Sequence, residues 1–209
     1  MDKVILVSAE VGLTPLAIKQ MMAPYSQREI PALYAAEYDL PFFMQSCTPT
    51  VVGMLVGYPF GGVSEDMVLS YMDRAIELDC QRFVLTLGTN DLASSEIESF
   101  RKKISLFARK AHSLGLEVVW EIPAALLTDA QVEAAVQVFV EVEGSRLSLS
   151  TNSELDVLDF RRLLSIDRMV SAIGNTLVLE IAESFPREDM EKLGSPFVLR
   201  EYIKEVARD

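Results

Sequence analysis

Basic charge is scarce in this chain: 19 lysines and arginines stand against 31 aspartates and glutamates, for a formal net charge of -12. No basic patch emerges easily from that balance, which excludes nucleic acid as a partner. Histidine occurs once, at His112, and cysteine twice, at Cys47 and Cys80, with no metal-ligand spacing between them. The cysteines therefore read as buried thiols in a reducing compartment, and no zinc-type centre or cofactor is expected. Long apolar runs are missing too, since none approaches the roughly 20 residues that cross a bilayer. MDKVILVSAEVG lacks the cationic start and cleavage pattern of a signal peptide. Membrane association is excluded on this reading, and a cytoplasmic location is expected. Two nucleotide motifs are also absent: no glycine fingerprint follows a strand and opens a helix, and no phosphate loop ends in Gly-Lys-Ser or Gly-Lys-Thr.

What is present is a globular composition, 50% hydrophobic and 24% charged, over 209 residues. That length is expected to form one domain, 1–209, able to bury a core without disulfides or metal. The clearest stretch is Val51 to Gly62, VVGMLVGYPFGG, in which an apolar run ends in a turn rich in glycine and proline. Strands buried on both faces end this way when they deliver a loop to one end of a sheet.

The rest of the chain repeats that unit of short apolar strand and amphipathic helix. Strands are predicted at Lys3 to Ser8, Ala32 to Glu37, Arg82 to Gly88, Leu116 to Ile122, Arg146 to Thr151 and Thr176 to Ala182, besides the opening stretch. Helix starts are marked by Thr14 before Pro15, by Ser64 before Glu65 and Asp66, and by Thr128 before Asp129. The helix after Ser64 is expected to bury Met67, Leu69, Met72, Ile76 and Leu78, and a long helix is predicted from Ser94 to Leu114. Beyond the seventh strand the reading gives a helical turn near Arg187 to Glu191, the breaker GSP at Gly194 to Pro196, and a closing helix from Pro196 to Arg208.

Strands alternating with helices at a repeat of roughly 30 residues predict a parallel α/β fold. A TIM-type (β/α)8 barrel is the expected architecture, with a stunted or missing eighth strand for which Lys192 to Gly194 is the only candidate. An open doubly wound sheet is the runner-up. In a barrel the ligand site lies at the C-terminal ends of the strands.

Three motifs in register, VGMLVGYPFGG, EIPAALLTD and RLSLSTN, resemble those of deoxyribose-phosphate aldolase, a class I aldolase barrel that holds its substrate as a Schiff base. The resemblance covers roughly residues 3 to 184 and implies a pocket shaped for a small sugar phosphate. Its catalytic residues do not carry over. The nucleophilic lysine that the family places two residues before a Ser-Thr-Gly turn corresponds to Ser148, ahead of Ser150, Thr151 and Asn152. The second lysine, in strand seven, corresponds to Glu180, and the double glycine after that strand to Glu183 and Ser184. Strand four, RFVLTLG, has no carboxylate to match the family's acid–base aspartate, and the aspartate of strand one falls near Ile5.

No other lysine is a ready substitute. Schiff-base chemistry needs an amine that is deprotonated near neutral pH at the barrel mouth. Lys3 begins a strand at the wrong end, Lys19, Lys102, Lys103, Lys110 and Lys204 lie on predicted helices, and Lys192 alone lies on a residual eighth strand.

The expected mouth is acidic, with Glu10, Glu37, Asn90, Asp91, Glu121, Asn152, Glu180 and Glu183 at or near strand ends. Glu121 and Glu180 are the candidate acid–base residues if they converge, and the other reading of both is a structural, hydrogen-bonded cluster. Arg82 and Arg146 begin their strands and are expected at the opposite rim, as poor partners. Carboxylates around an opening also suit a hard cation such as magnesium or calcium, but no ligand spacing is diagnostic and no metal is assigned. Ser195 before Pro196 is predicted to cap the closing helix and to offer an anion cradle, against which Glu183 would act by repulsion.

Two functions follow. One is an aldolase-like barrel without Schiff-base activity that binds a small sugar-like ligand or a partner through Ser148, Ser150, Thr151, Asn152, Glu183 and Ser195. The other is a lyase or isomerase on a small sugar or sugar phosphate that uses Glu121 and Glu180, with or without a divalent cation. A missing eighth strand would leave a sheet edge to be covered, which makes a homodimer plausible, with Phe42, Phe43 and Met44 as a contact patch or core.

Overall fold

The computed structural model describes residues 4–8, 12–59, 61–93, 97–149, 158–173, 177–182 and 185–203. Its strands are β1 (Val4–Ser8), β2 (Ile30–Ala36), β3 (Pro49–Val56), β4 (Arg82–Thr86), β5 (Glu117–Glu121), β6 (Arg146–Ser148), β7 (Val178–Ala182) and β8 (Phe197–Ile203). Between them run α1 (Pro15–Met22), α2 (Leu40–Ser46), α3 (Glu65–Glu77), α4 (Thr89–Ala93), α5 (Ile97–Leu114), α6 (Asp129–Glu141), α7 (Phe160–Ile173) and α8 (Arg187–Met190). Each strand pairs in parallel with the next, and β1 pairs with β8 from Val4↔Leu199 to Ser8↔Ile203, so the sheet closes into a (β/α)8 barrel.

The eighth strand corrects the sequence reading. Residues expected to open a closing helix at Pro196 instead form a full strand, Phe197–Ile203, while Lys192 to Gly194 lies in the turn that follows α8. The physical reason is a period of two. Phe197, Leu199 and Ile203 pack outward against the helical layer, while Val198 and Tyr202 pack inward. A Ser-Pro start and several charged residues imitate a helix beginning, but seven residues on both edges of a closing barrel gain ladders to β7 and β1. Closure also removes the open edge that would have called for a second subunit.

Local signals elsewhere set the elements as read. Thr14 accepts a hydrogen bond from the Ala17 amide at 3.2 Å to cap α1, and Thr128 and Gln131 form a reciprocal capping box on α6. The α3 stripe is shifted by about one position from expectation: Val68, Met72 and Ala75 are buried, whereas Met67 and Ile76 are exposed. Spacing i, i+4, i+7 keeps those three over one groove of the sheet. The long helix is described over Ile97–Leu114, after a separate α4, and the expected start at Ser94 lies outside the described residues. Phe43 is core, whereas Met44 is exposed.

The apolar interior has two parts. A large layer between barrel and helices includes Phe83, Phe107, Trp120 and Phe139. A smaller cluster inside the barrel holds Ile5, Val7, Ala32, Tyr34, Leu55, Val84 and Val119. The GYPFGG turn after β3 is drawn against the loop after β4, because a Cβ on Gly61 would lie 2.2 Å from the Gly88 nitrogen. Gly61 also has φ +73°, so only glycine is unstrained there.

Candidate functional site

Strand alternation places a set of polar side chains on the inner barrel wall. In β5 the outward residues are Val118 and Trp120, which leaves Glu117 and Glu121 pointing in on either side of Val119. The ladders then put Thr86, Glu121, Ser148 and Glu180 side by side, through the pairs Thr86↔Glu121, Glu121↔Ser148 and Ser148↔Glu180. Glu121, Ser148 and Glu180 are each 0% exposed.

Between the two glutamates lies Arg200, from the middle of β8 and likewise 0% exposed. Its Nε donates to Glu180 Oε2 at 2.8 Å, and its Nη1 donates to Glu121 Oε2. Nη2 sits 2.8 Å from Glu180 Oε2 as an ionic contact, though its alignment is too poor for a hydrogen bond. The face of Tyr34 lies against the guanidinium, 5.3 Å from carbon to ring centre. Glu121 is completed by Thr86 Oγ1, which donates at 2.6 Å, and by Ser148 Oγ, which donates at 3.1 Å.

The network continues toward the N-terminal ends of the strands. Glu180 Oε1 accepts from Arg146 Nη1 at 2.9 Å and from the Tyr34 hydroxyl at 3.0 Å. Tyr34 in turn accepts from Arg82 Nη1 at 3.0 Å. Glu117 accepts from Arg82 Nε at 2.6 Å, from Arg146 Nε at 3.2 Å and from Ser145 Oγ at 2.7 Å. Three guanidinium groups thus face three carboxylates, with formal charges cancelling inside the barrel. Burying a charge in an apolar wall is costly unless it is paired and hydrogen-bonded, and here each is both.

Protonation follows from this arrangement. Burial works against the Arg200 cation, but Glu180 and Glu121 outweigh it and hold the guanidinium well above its ordinary range, so it is permanently charged. Burial, reinforced by the charge of Glu180, pushes the Tyr34 phenol far up, so it stays a neutral donor. Tyr202 is pushed up to about 12, chiefly by burial. Glu117 is lowered overall: burial raises it, but the hydrogen bonds from Arg82 and Ser145 and the two arginine charges prevail.

These contacts show where the expected residues stand. Glu121 and Glu180 do converge with Ser148, but through a shared guanidinium. The expectation that Arg82 and Arg146 are poor partners is corrected. Arg146 stands two residues below Ser148 on the strand beside Glu180, a diagonal distance that a guanidinium side chain spans.

The Ser195 expectation is corrected too. No helix starts there, and the Ser195 amide donates to Asp167 Oδ1 at 2.8 Å, beside a 2.9 Å bond from the Gly194 amide to Asp167 Oδ2. Ser195 is 4% exposed and tied to α7 by these bonds. Glu37 is on the outer surface, paired with Arg74 at 2.7 Å. Ser150, Thr151, Asn152, Glu183 and Glu10 lie outside the described residues.

The five lysines among the described residues all lie outside the barrel: Lys19 on α1, Lys102, Lys103 and Lys110 on α5, and Lys192 in the turn after α8. Among the described residues no group of three or more His, Cys, Asp or Glu side chains gathers as metal ligands, and no helix is long and apolar enough to cross a membrane. Sequence reasoning missed Arg200, Tyr34 and Thr86. The available signal was a lone arginine at an inward position of FVLREYI, in a barrel whose two inward glutamates needed a cation.

No family model matches the sequence, and no curated protein matches it. Solved structures do. An aldolase designated QR15 superposes with a TM-score of 0.78 at 12% identity, over 96% of this chain and 89% of that one. A protein from Coccidioides immitis assigned as a deoxyribose-phosphate aldolase gives 0.78 at 12% identity, over 96% and 80%. The tetrameric deoxyribose phosphate aldolase from Aeropyrum pernix gives 0.74 at 11%, over 95% and 84%. At such identities the likeness is one of architecture, and on that footing the chain has the fold of the deoxyribose-phosphate aldolases.

Proposed function

We propose that this chain is a divergent deoxyribose-phosphate aldolase-like barrel without Schiff-base activity, which binds a small sugar-like ligand at the strand C-terminal ends. The observation that carries this reading is the replacement of an amine pair by an ion network. At the positions where the resemblance expects lysines stand Ser148, donating to Glu121, and Glu180, held by Arg200 and Arg146. A guanidinium is neither a nucleophile toward a carbonyl nor a base at neutral pH. Ser148 closes β6, and Ser150, Thr151 and Asn152, which follow it in sequence, together with Glu183, three residues after Glu180, carry hydroxyl, amide and carboxylate groups suited to a polyol.

Borohydride trapping tests the first half. Incubation with deoxyribose phosphate or acetaldehyde and borohydride is expected to leave the intact mass unchanged, and a stable adduct on any lysine overturns the reading. For the second half, a saturable rise in melting temperature with a sugar or sugar phosphate is expected, and no shift across a broad sugar panel counts against it.

The acid–base alternative has less support. Glu121 and Glu180 share one arginine, and each carboxylate accepts from further donors, leaving neither carboxylate poised over an open site. A cytoplasmic setting fits the two free thiols. Self-association is carried over as a proposal from the tetrameric Aeropyrum protein, and light scattering in solution checks it.

A further inference from the structure

A cavity lies on the outside of the barrel wall, between α5 and α6. Its volume is about 520 Å³, and it opens between the C-terminal halves of α5 and α6, over the starts of β5 and β6. That volume is in the range of small-molecule sites, about 300 to 1,000 Å³. Its floor is Trp120, the only tryptophan in the chain. Trp120 is 1% exposed and stacked on Phe139 with ring centres 5.3 Å apart, so the indole is held rigidly.

The indole Nε1 is buried without a hydrogen-bond partner. An unsatisfied buried donor is rare and costly, and an indole N–H can only donate. The residue beside that edge is Gly144, also part of the cavity wall and without a side chain to cover it: a Cβ there would lie 3.0 Å from Nε1 and 3.2 Å from the neighbouring ring carbon. The glycine is not needed for its backbone angle, since it is not among the positive-φ glycines.

The charges on the wall select against ions. Glu117 is paired with Arg82 and Arg146, and Glu141 with Arg101. Arg109 and Glu143, both exposed on the wall, are of opposite sign. Apolar surface from Ala108, Leu116 and Val142 makes up much of the remainder. We infer that this cavity is a binding site for a neutral, flat ring compound carrying one hydrogen-bond acceptor, a ring nitrogen or carbonyl, which takes the Trp120 N–H beside Gly144.

The single tryptophan makes the test direct, because the indole N–H gives one side-chain signal in a proton–nitrogen NMR spectrum. The probe is isoquinoline, whose ring nitrogen accepts, and the control is indole, of similar size but with a ring N–H that donates. Isoquinoline is expected to move the Trp120 signal downfield in a saturable manner, and indole is not. Gly144→Ala is expected to abolish the shift by closing the window. Because its Cβ also meets the Phe139 carbonyl oxygen at 2.7 Å, Ala108→Phe, which fills the cavity from α5, provides the second variant, with the same expected loss. No saturable shift with isoquinoline overturns the inference, as does an equal downfield shift with indole, or an undiminished shift in Ala108→Phe.

Discussion

Arg200 and Glu180 face each other from neighbouring strands with a 2.8 Å bond from Nε to Oε2, and neither is exposed to solvent. The pair is one link in a chain that runs from Thr86 and Ser148 through Glu121, Arg200, Glu180 and Arg146 to Glu117. Such a chain specifies which strand lies beside which, since a one-residue slip of β8 would turn Arg200 outward and leave two glutamates buried without their shared cation.

Removing that cation is therefore expected to be severe. Arg200→Met strands Glu121 and Glu180 without their shared partner, and the expected loss is about 3–5 kcal/mol of unfolding free energy. Adding Glu121→Gln and Glu180→Gln to Arg200→Met removes the stranded charges and should restore most of the loss. Urea unfolding of the single and triple variants measures both, and an Arg200→Met protein as stable as wild type would show that the network is not held as described.

Most of the architecture was legible in the sequence because parallel strands buried on both faces read as apolar runs, and caps such as Thr14 and Thr128 mark where helices begin. The eighth strand was not, because Val198, Arg200 and Tyr202 alternate with Phe197, Leu199 and Glu201, so polar and aromatic residues fall on the inner face and disguise the period of two. Ser148 and Glu180 were legible as replacements for lysine by motif register alone. Their use was not, since it depends on Arg200 and Thr86, brought in by neighbouring strands, and on Tyr34, which reaches Glu180 from β2 across the closed barrel. Ser195 shows the converse: Ser-Pro is a sound capping signal, but the adjacent Asp167 carboxylate took both amides and the chain went on as a strand.

Restoring one lysine should not restore the chemistry. In Ser148→Lys the new amine would stand beside Glu121, where Ser148 Oγ is now 3.1 Å from the carboxylate. An opposite charge at that range favours the ammonium form, which cannot attack a carbonyl. Borohydride trapping with acetaldehyde is expected to give no adduct at residue 148 near neutral pH. Efficient trapping there would show that the network does not control the amine.

Acid sensitivity should concentrate on Glu117. Its folded carboxyl is held below the ordinary value of 4.5, burial being outweighed by Arg82, Ser145 and Arg146. A lowered folded value means that the unfolded chain binds the proton more readily. The stabilisation is therefore fully present above the unfolded value and is lost as pH falls through the folded one. Glu117→Gln is expected to be less stable than wild type near neutral pH and to converge with it in acid, as denaturation midpoints from about pH 7 down to about pH 3 would report. A gap that stays constant with pH would contradict this.

The two thiols should be slow to react. Burial pushes Cys80 up to about 12 and raises Cys47 as well, so little thiolate is present at neutral or mildly alkaline pH. A disulfide reagent is expected to modify half-buried Cys47 before buried Cys80, with both reacting at once in denaturant. Immediate reaction of Cys80 in the native protein would place it outside the core.

Gly53 tests how tightly the apolar and ionic parts of the barrel interior are joined. It sits on β3 opposite Tyr34 of β2, and a Cβ added there would lie 2.5 Å from Cδ1 and 2.8 Å from Cε1 of that ring. The ring cannot move without disturbing its place against Arg200 and the hydroxyl bonds to Glu180 and Arg82. Gly53→Ala is therefore expected to cost about 1–3 kcal/mol, the usual range for an overpacked core. Tyr34→Leu removes the clash along with the hydroxyl, so the double variant should lose less than the sum of the two single losses. Additive losses would mean that the alanine methyl is accommodated without touching the ring, and that the network does not feel the packing of β3.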